Sequence, residues 1–399
     1  MTKMRRFYIA SEDEIKHGET TDVYFQRTIK VLKSKGLDKV RVVAEVTSGK
    51  LPKNWKWGIL CGIEEEAHLL EGYPVNVYAM PEGSVFYHES HNGVREPVMV
   101  IEGPYAAFAH LETAILGLIC QASGVATAAA RIKKAAGEKP VYAFGIRRMH
   151  PAIAPMIDRA AYIGGFDGVS GVLGAKLMRI KPVGTMPHAL IIVFGDQVKA
   201  WKAFDEVMPP EVPRIALVDT YYDEKIESIM AAEALKEKLF AVRLDTPKSR
   251  RGNFAEIIRE VRWELNVRGY KHVKIMISGG LNEETVRALS EAGADAFGVG
   301  TSVSNAPTVD FAMDIVEVEG KPKAKRGKMS GRKQVWRCPN CLIDIILPAR
   351  EKGAKCPKCN EEMKPMLKPL IINGKIVAKL PSAQEIRSYV LEQLSKIQD

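Results

Sequence analysis

No uninterrupted apolar run of roughly 18 residues stands out in the chain, so no membrane span is expected. The opening MTKMRRFYIASEDE has too short an apolar run for a secretory signal, and a cytoplasmic location is the expectation. Cysteine is scarce, with six in 399 residues. Without a secretion signal, that number is not expected to build a disulfide scaffold. Acidic residues are missing from 321–337, KPKAKRGKMSGRKQVWR, in a chain of formal net charge +10. Such an excess admits nucleic acid, a membrane surface or anionic small molecules as partners. The run itself reads as a solvated linker in preference to a nucleic-acid arm.

What is present has the composition of an ordinary globular protein, long enough for two or three domains. Cys61 and Cys120 lie in apolar contexts and read as buried thiols. The other four form Cys338-Pro-Asn-Cys341 and Cys356-Pro-Lys-Cys359, separated by fourteen residues. That spacing suits one zinc ion on four thiolates. A closed four-cysteine set has no open coordination position, so Zn²⁺ there is expected to be structural.

The first hundred residues mix helix and strand. A helix starts after Thr20, Thr21 or Asp22, and strands are expected near 40–47, 57–61, 74–79, 85–88 and 97–102. Two helices follow, near 106–118 and 123–136. From 140 onward the texture changes. Strand-like runs at 141–144, 166–169, 214–218, 240–244, 273–277 and 296–299 alternate with helical stretches. This alternation predicts a parallel α/β fold, open or barrel. The last 80 or so residues hold the basic run, the cysteine module and a hairpin around Asn373-Gly374. A terminal helix follows, capped by Ser382 with Glu385. The expected domains are an α+β segment 1–120, an α/β barrel 121–318, and a C-terminal segment 319–399.

In βα-repeat folds, function gathers at the C-terminal ends of strands. Polar residues recur at those positions here. Arg147 and Arg148 follow one strand, Asp167 and Ser170 close another, and Asp219 ends a third. Arg243 and Asp245 end a fourth, Ser278-Gly279-Gly280 a fifth, and Gly300-Thr301 a sixth. The last two turns are glycine-bearing, which lets backbone N–H groups approach a phosphate. Asp219 and Asp245 suit ribose hydroxyls or Mg²⁺. Arg147 and Arg243 suit a carboxylate or phosphate, or an ion pair with Asp167 or Asp245. His188, after Gly184-Thr185, is expected in a loop. Together these residues describe an enzyme for a phosphorylated sugar and an anionic partner.

The ordered set FGIRR, GFDGVSG, GTMPHAL, LVDTYYD, RLDTP, SGGLN and GVGTS resembles nicotinate phosphoribosyltransferase over about residues 20–305. TDVYFQRT and the segments Glu102-Gly103-Pro104 and Leu111-Glu112-Thr113 match as well, and the cysteine module is similar to the archaeal branch. The resemblance implies an α+β N-terminal domain with an irregular α/β barrel, and active sites shared between subunits of a homodimer or an oligomer of dimers. It implies nicotinate and 5-phosphoribosyl-1-pyrophosphate as substrates, Mg²⁺, and ATP as co-substrate, in NAD salvage. It also implies residue roles. Phe144, and Tyr24 of a neighbouring copy, would stack on the pyridine ring. Arg147 would lie near its carboxylate or the phosphates, Ser170 near the carboxylate and Asp167 near the base pocket, and Thr185 would line the site. His188 would be the histidine phosphorylated by ATP, although Pro187 precedes it where the family more often has a small residue. Asp219 and Asp245 would hold ribose hydroxyls and Mg²⁺, and Arg243 would contact phosphate or shield the ring. Gly279, Gly280, Gly300 and Thr301 would cradle the 5′-phosphate. The alternatives are the quinolinate enzyme of the same fold, or a zinc-ribbon nucleic-acid-binding protein. Neither a membrane nor nucleic acid is an expected partner of the transferase.

Overall fold

The computed structural model describes residues 6–250 and 252–397. It divides into two compact units, residues 1–127 with 307–399, and residues 128–306. Residues 307–399 thus share a unit with the N-terminal segment.

The first unit is built on a seven-stranded antiparallel sheet. Its order is Lys321–Pro322, Phe311–Val318, Arg41–Ser48, Pro97–Pro104, Asn76–Ala79, Lys368–Ile372 and Lys375–Ile376. Alternation along Arg41–Ser48 sends Ala44 and Val46 into the apolar core with Val77, Val98, Ile101 and Phe108. The other face of the same strand is also covered, so Glu45 and Thr47 are buried.

What covers it includes the basic run, which is not a solvated linker. Lys333 Nζ meets Glu45 Oε2 at 2.9 Å, and Lys325 and Lys328 each reach Asp314 at 2.6 Å. Arg332 pairs with Glu102. Arg337 donates from Nε to Asp344 at 2.8 Å and comes within 3.8 Å of Glu96. The run lacks acids because its partners stand on the sheet. Each carboxylate leaves water only by meeting a cation. Lys333–Arg337 also forms a strand of a small three-stranded sheet with Asp344–Pro348 and Lys364–Pro365.

The hairpin at 373–374 forms as expected. Asn373 and Gly374 both take positive φ, +50° and +75°, the conformation a two-residue turn requires. Ser382 and Glu385 complete a capping box on the Ala383–Leu394 helix.

One helix, Glu112–Ala136, stands where two were expected. Its internal glycines are not breaks. A Cβ on Gly124 would overlap the carbonyl oxygen of Pro307, so glycine is there for close backbone approach. Gly117 faces open space. The stretch Tyr105–Ala136 is also long and apolar enough by composition to cross a membrane, contrary to the sequence reading, and 67% of its most apolar window is buried.

The second unit carries a six-stranded parallel sheet in the order Gly168–Val169, Val141–Ala143, Ala296–Val299, Lys274–Ser278, Leu239–Leu244 and Arg214–Leu217. It is a half-barrel, where an irregular barrel was expected. Between the strands run helices including Ala154–Ile163, Val172–Leu177, His188–Phe194, Gln197–Val207, Glu224–Leu235, Phe254–Val267 and Glu283–Glu291. On one face of the sheet, Ile215, Ala241 and Met276 pack with Tyr142, Phe144 and Ala296. Continuing the same alternation two residues on brings Leu217, Arg243, Ser278 and Gly298 to that face, then Asp219 and Asp245.

The two glycines of the long helix give opposite expectations. Gly117→Ala should raise stability by up to about 1 kcal/mol, because alanine favours helix and nothing is displaced. Gly124→Ala should lower it despite the same propensity gain. Thermal melts of the two variants check the sign, and a rise in both would remove the Pro307 contact as the reason for Gly124.

Candidate active site

The site is assembled around Arg243, at the end of the Leu239–Leu244 strand. Its Nε donates to Ser278 Oγ at 2.8 Å and its Nη1 to Thr185 Oγ1 at 2.8 Å. Nη2 lies 3.4 Å from Asp245 Oδ1, and the guanidinium carbon is 5.4 Å from the centre of the Phe144 ring. Ser278 passes the interaction on, donating its hydroxyl to Asp245 Oδ1 at 2.6 Å. Phe144 is set by Gly298, where a Cβ would lie 2.5 Å from the ring. Tyr142 stacks behind it, with centroids 6.4 Å apart and planes 14° from parallel.

His188 is the first residue of the His188–Phe194 helix, with Pro187 as its N-cap, not a loop residue. Pro187 has φ −84° and ψ 156°, an extended geometry proline adopts without strain. The ring's Nδ1 is 3.0 Å from Thr220 Oγ1. Its Nε2 lies 3.7 Å from Asp245 Oδ2 and 3.8 Å from Asp219 Oδ1. The interaction with Asp245 raises the His188 pKa, against burial.

The two carboxylates are driven apart. Burial raises Asp219, opposed by hydrogen bonds from Thr246 and the Asp245 N–H. Burial also pushes Asp245 upward, but His188, Arg243 and Ser278 outweigh it and hold Asp245 at about 2. Asp219 Oδ2 accepts from Asp245 N and from Thr246 Oγ1, both at 2.8 Å. Its Oδ1 is buried without a hydrogen bond. An orphaned carboxylate oxygen beside a second carboxylate is a donor set that fits a hard divalent cation such as Mg²⁺.

Two glycine turns close the same end of the sheet. Gly279 and Gly280 take consecutive left-handed conformations, φ +89° and +66°. Gly300 caps the short Thr301–Ser304 helix. Parallel pairing of Ser278 with Gly298 makes the turns neighbours, and Ser302 Oγ donates to Leu281 O at 2.6 Å between them. Consecutive backbone N–H groups in such turns form concavities for anions. Ser170 and Arg147 follow the strands Gly168–Val169 and Val141–Ala143 at this end, and Arg147 is exposed.

Asp167 is not in the site. It precedes its strand, accepting from Val141 N at 2.9 Å and pairing with Lys133 at 3.0 Å. Val141 begins the neighbouring strand, so Asp167 stands at the opposite end of the parallel sheet. The motif GFDG put it within three residues of Ser170, but those three residues cross the sheet. Tyr24 lies in the first unit, where it lines a cavity of ≈ 310 Å³ with Tyr105, Glu112, Asp314 and Lys325. The four cysteines gather in that unit too, with their sulfurs within 4.8 Å of one another.

The structure gives supporting roles to residues that had none from the sequence. Thr220 and Ser278 lie in the strand-end motifs LVDTYYD and SGGLN. Glu227 carried no motif signal. It is fully buried and accepts from the backbone N–H groups of Thr220 at 3.1 Å, Tyr221 at 2.7 Å and Tyr222 at 2.9 Å. It thereby fixes the loop carrying Asp219 and the Thr220 hydroxyl. Glu227→Gln replaces one acceptor oxygen with a donor facing a donor. Loss of charged hydrogen bonds is worth roughly 1.5–3 kcal/mol each, so amide exchange at 220–222 should quicken by about 10- to 100-fold. Unchanged exchange would show that something else holds the loop.

Comparison with known proteins places this arrangement. The quinolinate phosphoribosyl transferase N-terminal domain matches residues 22–123 and its C-terminal domain residues 125–314. The nicotinate phosphoribosyltransferase C-terminal domain matches residues 342–399. The nicotinate phosphoribosyltransferase pncB2 of Mycobacterium tuberculosis is 31% identical over 339 residues, covering 81% of this chain and 69% of that protein. The solved nicotinate-nucleotide pyrophosphorylase from Pyrococcus furiosus is 65% identical, with TM-score 0.95, covering 98% of this chain and 99% of its own. Human nicotinic acid phosphoribosyltransferase shares the fold at TM-score 0.75 and 21% identity, covering 95% of this chain and 94% of its own. With its sheet-end cluster of Arg243, Asp219, Asp245 and His188 and its match along most of the chain, the protein belongs to the nicotinate phosphoribosyltransferase family.

Proposed function

We propose that the protein joins nicotinate to 5-phosphoribosyl-1-pyrophosphate, forming nicotinate mononucleotide and pyrophosphate in NAD salvage. The observation that carries this reading is the single cluster in which Arg243, Asp245, Asp219 and His188 meet beside two glycine turns. In the reaction the pyridine nitrogen supplies its electron pair to C1 of the ribose as the C1–O bond breaks, and pyrophosphate leaves with that bond's electrons. No side-chain nucleophile is needed. The protein must orient the two reactants and stabilise the charge that develops.

In this reading, Gly279, Gly280, Gly300 and Thr301 hold the 5′-phosphate, and Asp219 and Asp245 hold ribose hydroxyls. Mg²⁺, held by the same two carboxylates, would supply positive charge to the departing pyrophosphate. Phe144 offers an aromatic wall for the base, with Ser170 and the exposed Arg147 at its carboxylate end. Arg243 is anchored by Ser278, Thr185 and Asp245, which suits a fixed positive charge over Phe144 more than a mobile phosphate ligand. ATP hydrolysis is coupled through His188, whose Nε2 faces the carboxylate pair. Two copies share each site, Tyr24 of a second copy closing over the base. The cysteine module and the 65% identity to the Pyrococcus furiosus chain support the archaeal branch.

Zn²⁺ is proposed for the cysteine cluster. Four sulfurs about 2.3 Å from one tetrahedral ion would be about 3.8 Å apart. The Cys338–Cys359 sulfur separation of 3.5 Å and the 4.8 Å limit for the set are close to that figure. The ion would organise Cys338, Cys341, Cys356 and Cys359 as a structural tie. Purified protein should carry one zinc per chain by elemental analysis, and Cys338→Ser should lose it and lower the melting temperature.

A second reading, transfer to quinolinate with loss of carbon dioxide, is favoured by the domain matches over 22–123 and 125–314. One assay separates them. The protein, with Mg²⁺ and phosphoribosyl pyrophosphate, is offered nicotinate, nicotinamide or quinolinate, with and without ATP. Mononucleotide from nicotinate alone, faster with ATP, is the expected result. Product without an ATP effect would remove the role of His188. Product from quinolinate alone would establish the second reading. For Asp245→Asn, a fall of about 10²-fold or more in turnover is expected, since its charge orders both His188 and Arg243.

A further inference from the structure

Asp158, on the Ala154–Ile163 helix, is wholly buried, and neither of its carboxylate oxygens completes a hydrogen bond. Burial pushes the carboxyl up to about 7, opposed only by the nearby Gly171 N–H. A buried acid with so little hydrogen bonding destabilises a fold. Stability alone therefore gives no reason for a carboxyl there.

Its neighbours are the two glycines of the SGVLG stretch. A Cβ on Gly171 would overlap Asp158 Oδ2. One on Gly174 would lie 2.6 Å from Oδ2 and 2.7 Å from the Asp158 Cβ. Neither glycine is there for its backbone. Gly171 has φ −73°, and Gly174 is inside the Val172–Leu177 helix. Any residue adopts those conformations. The glycines make room for the carboxyl.

What the carboxyl supports is the turn that begins at Ser170. Ser170 N donates to Ala143 O at 3.0 Å, one residue beyond the paired Val169 and Ala143. That contact sets Ser170 beside Phe144. Ile146 Cδ1 closes the same space, 3.0 Å from the Gly171 Cβ position.

We propose that Asp158 is a positioning residue for the base end of the site: its carboxyl fills the space beneath residues 170–174 and sets where Ser170 stands beside Phe144. The inference rests on the phosphoribosyl transfer proposed above. Asp158→Ala, Asp158→Asn, Gly171→Ala and the double variant Asp158→Ala/Gly171→Ala test it in the full chain. Nicotinate and phosphoribosyl pyrophosphate are varied separately, and each variant is melted.

Asp158→Ala should raise KM for nicotinate about 5- to 20-fold, with kcat and the other KM within about twofold. Asp158→Asn keeps the shape and should stay near wild type. Gly171→Ala should lose activity and melt lower, because its Cβ would overlap Asp158 Oδ2. The double variant should recover at least about tenfold in activity over Gly171→Ala, and melt higher than it, because Asp158→Ala removes both Asp158 atoms that the new Cβ would meet. No change in nicotinate KM for Asp158→Ala, an equal rise in both KM values, or purely additive losses in the double variant would overturn the proposal. Were wild type itself to form no product from any base, the transfer reading would fail and the base-end role with it. The melting cycle would still report whether the Asp158 carboxyl and a side chain at 171 compete for the same space.

Discussion

Everything in the site depends on a cation held from three sides. Arg243 spends its guanidinium on Ser278, Thr185 and Asp245 while lying over Phe144. Each of those partners has a second duty. Ser278 donates a hydrogen bond to Asp245, and Thr185 belongs to the segment leading to His188. Asp245, held ionised, draws His188 toward it. A charge fixed this firmly costs no reorganisation when charge develops nearby, which is the main way an active site lowers a barrier.

The same arrangement makes two chemically identical residues unlike. Asp245 has cationic and hydroxyl partners, and Asp219 is more deeply enclosed with one oxygen unmatched. One carboxylate is secured as an anion. The other waits for a cation or a hydroxyl to complete it. Glu227 and Thr246, which need not meet a ligand, are what keep Asp219 and Thr220 where this difference can act.

The first unit solves its charge problem by another route. Its sheet carries Glu45, Glu102 and Asp314 on the face opposite the core, and these would be costly to bury unpaired. The chain supplies their partners from one basic stretch more than 200 residues after the first of them. A segment that looks like a tail or an interaction arm is consumed inside its own unit, which removes the simplest argument for nucleic acid as a partner.

The sequence by itself determined the βα alternation, the hairpin at Asn373-Gly374, the capped last helix, the cysteine spacing and the family. All of these are local, resting on periodicity, turn chemistry or ordered motifs. It also named Arg243, Asp219 and Asp245, because strand ends are recognisable from the strand, and His188 through the GTMPHAL motif. Only the tertiary structure decided what crosses between segments. Asp167 and Ser170 are three residues apart yet stand at opposite ends of a strand, a distinction that needs the exact start of a two-residue strand. The break expected near residue 120 dissolved because Gly124 answers to Pro307, not to its own helix. Glu227 and Asp158 left no trace in any motif, since a buried carboxylate takes its meaning from backbone groups that folding brings to it.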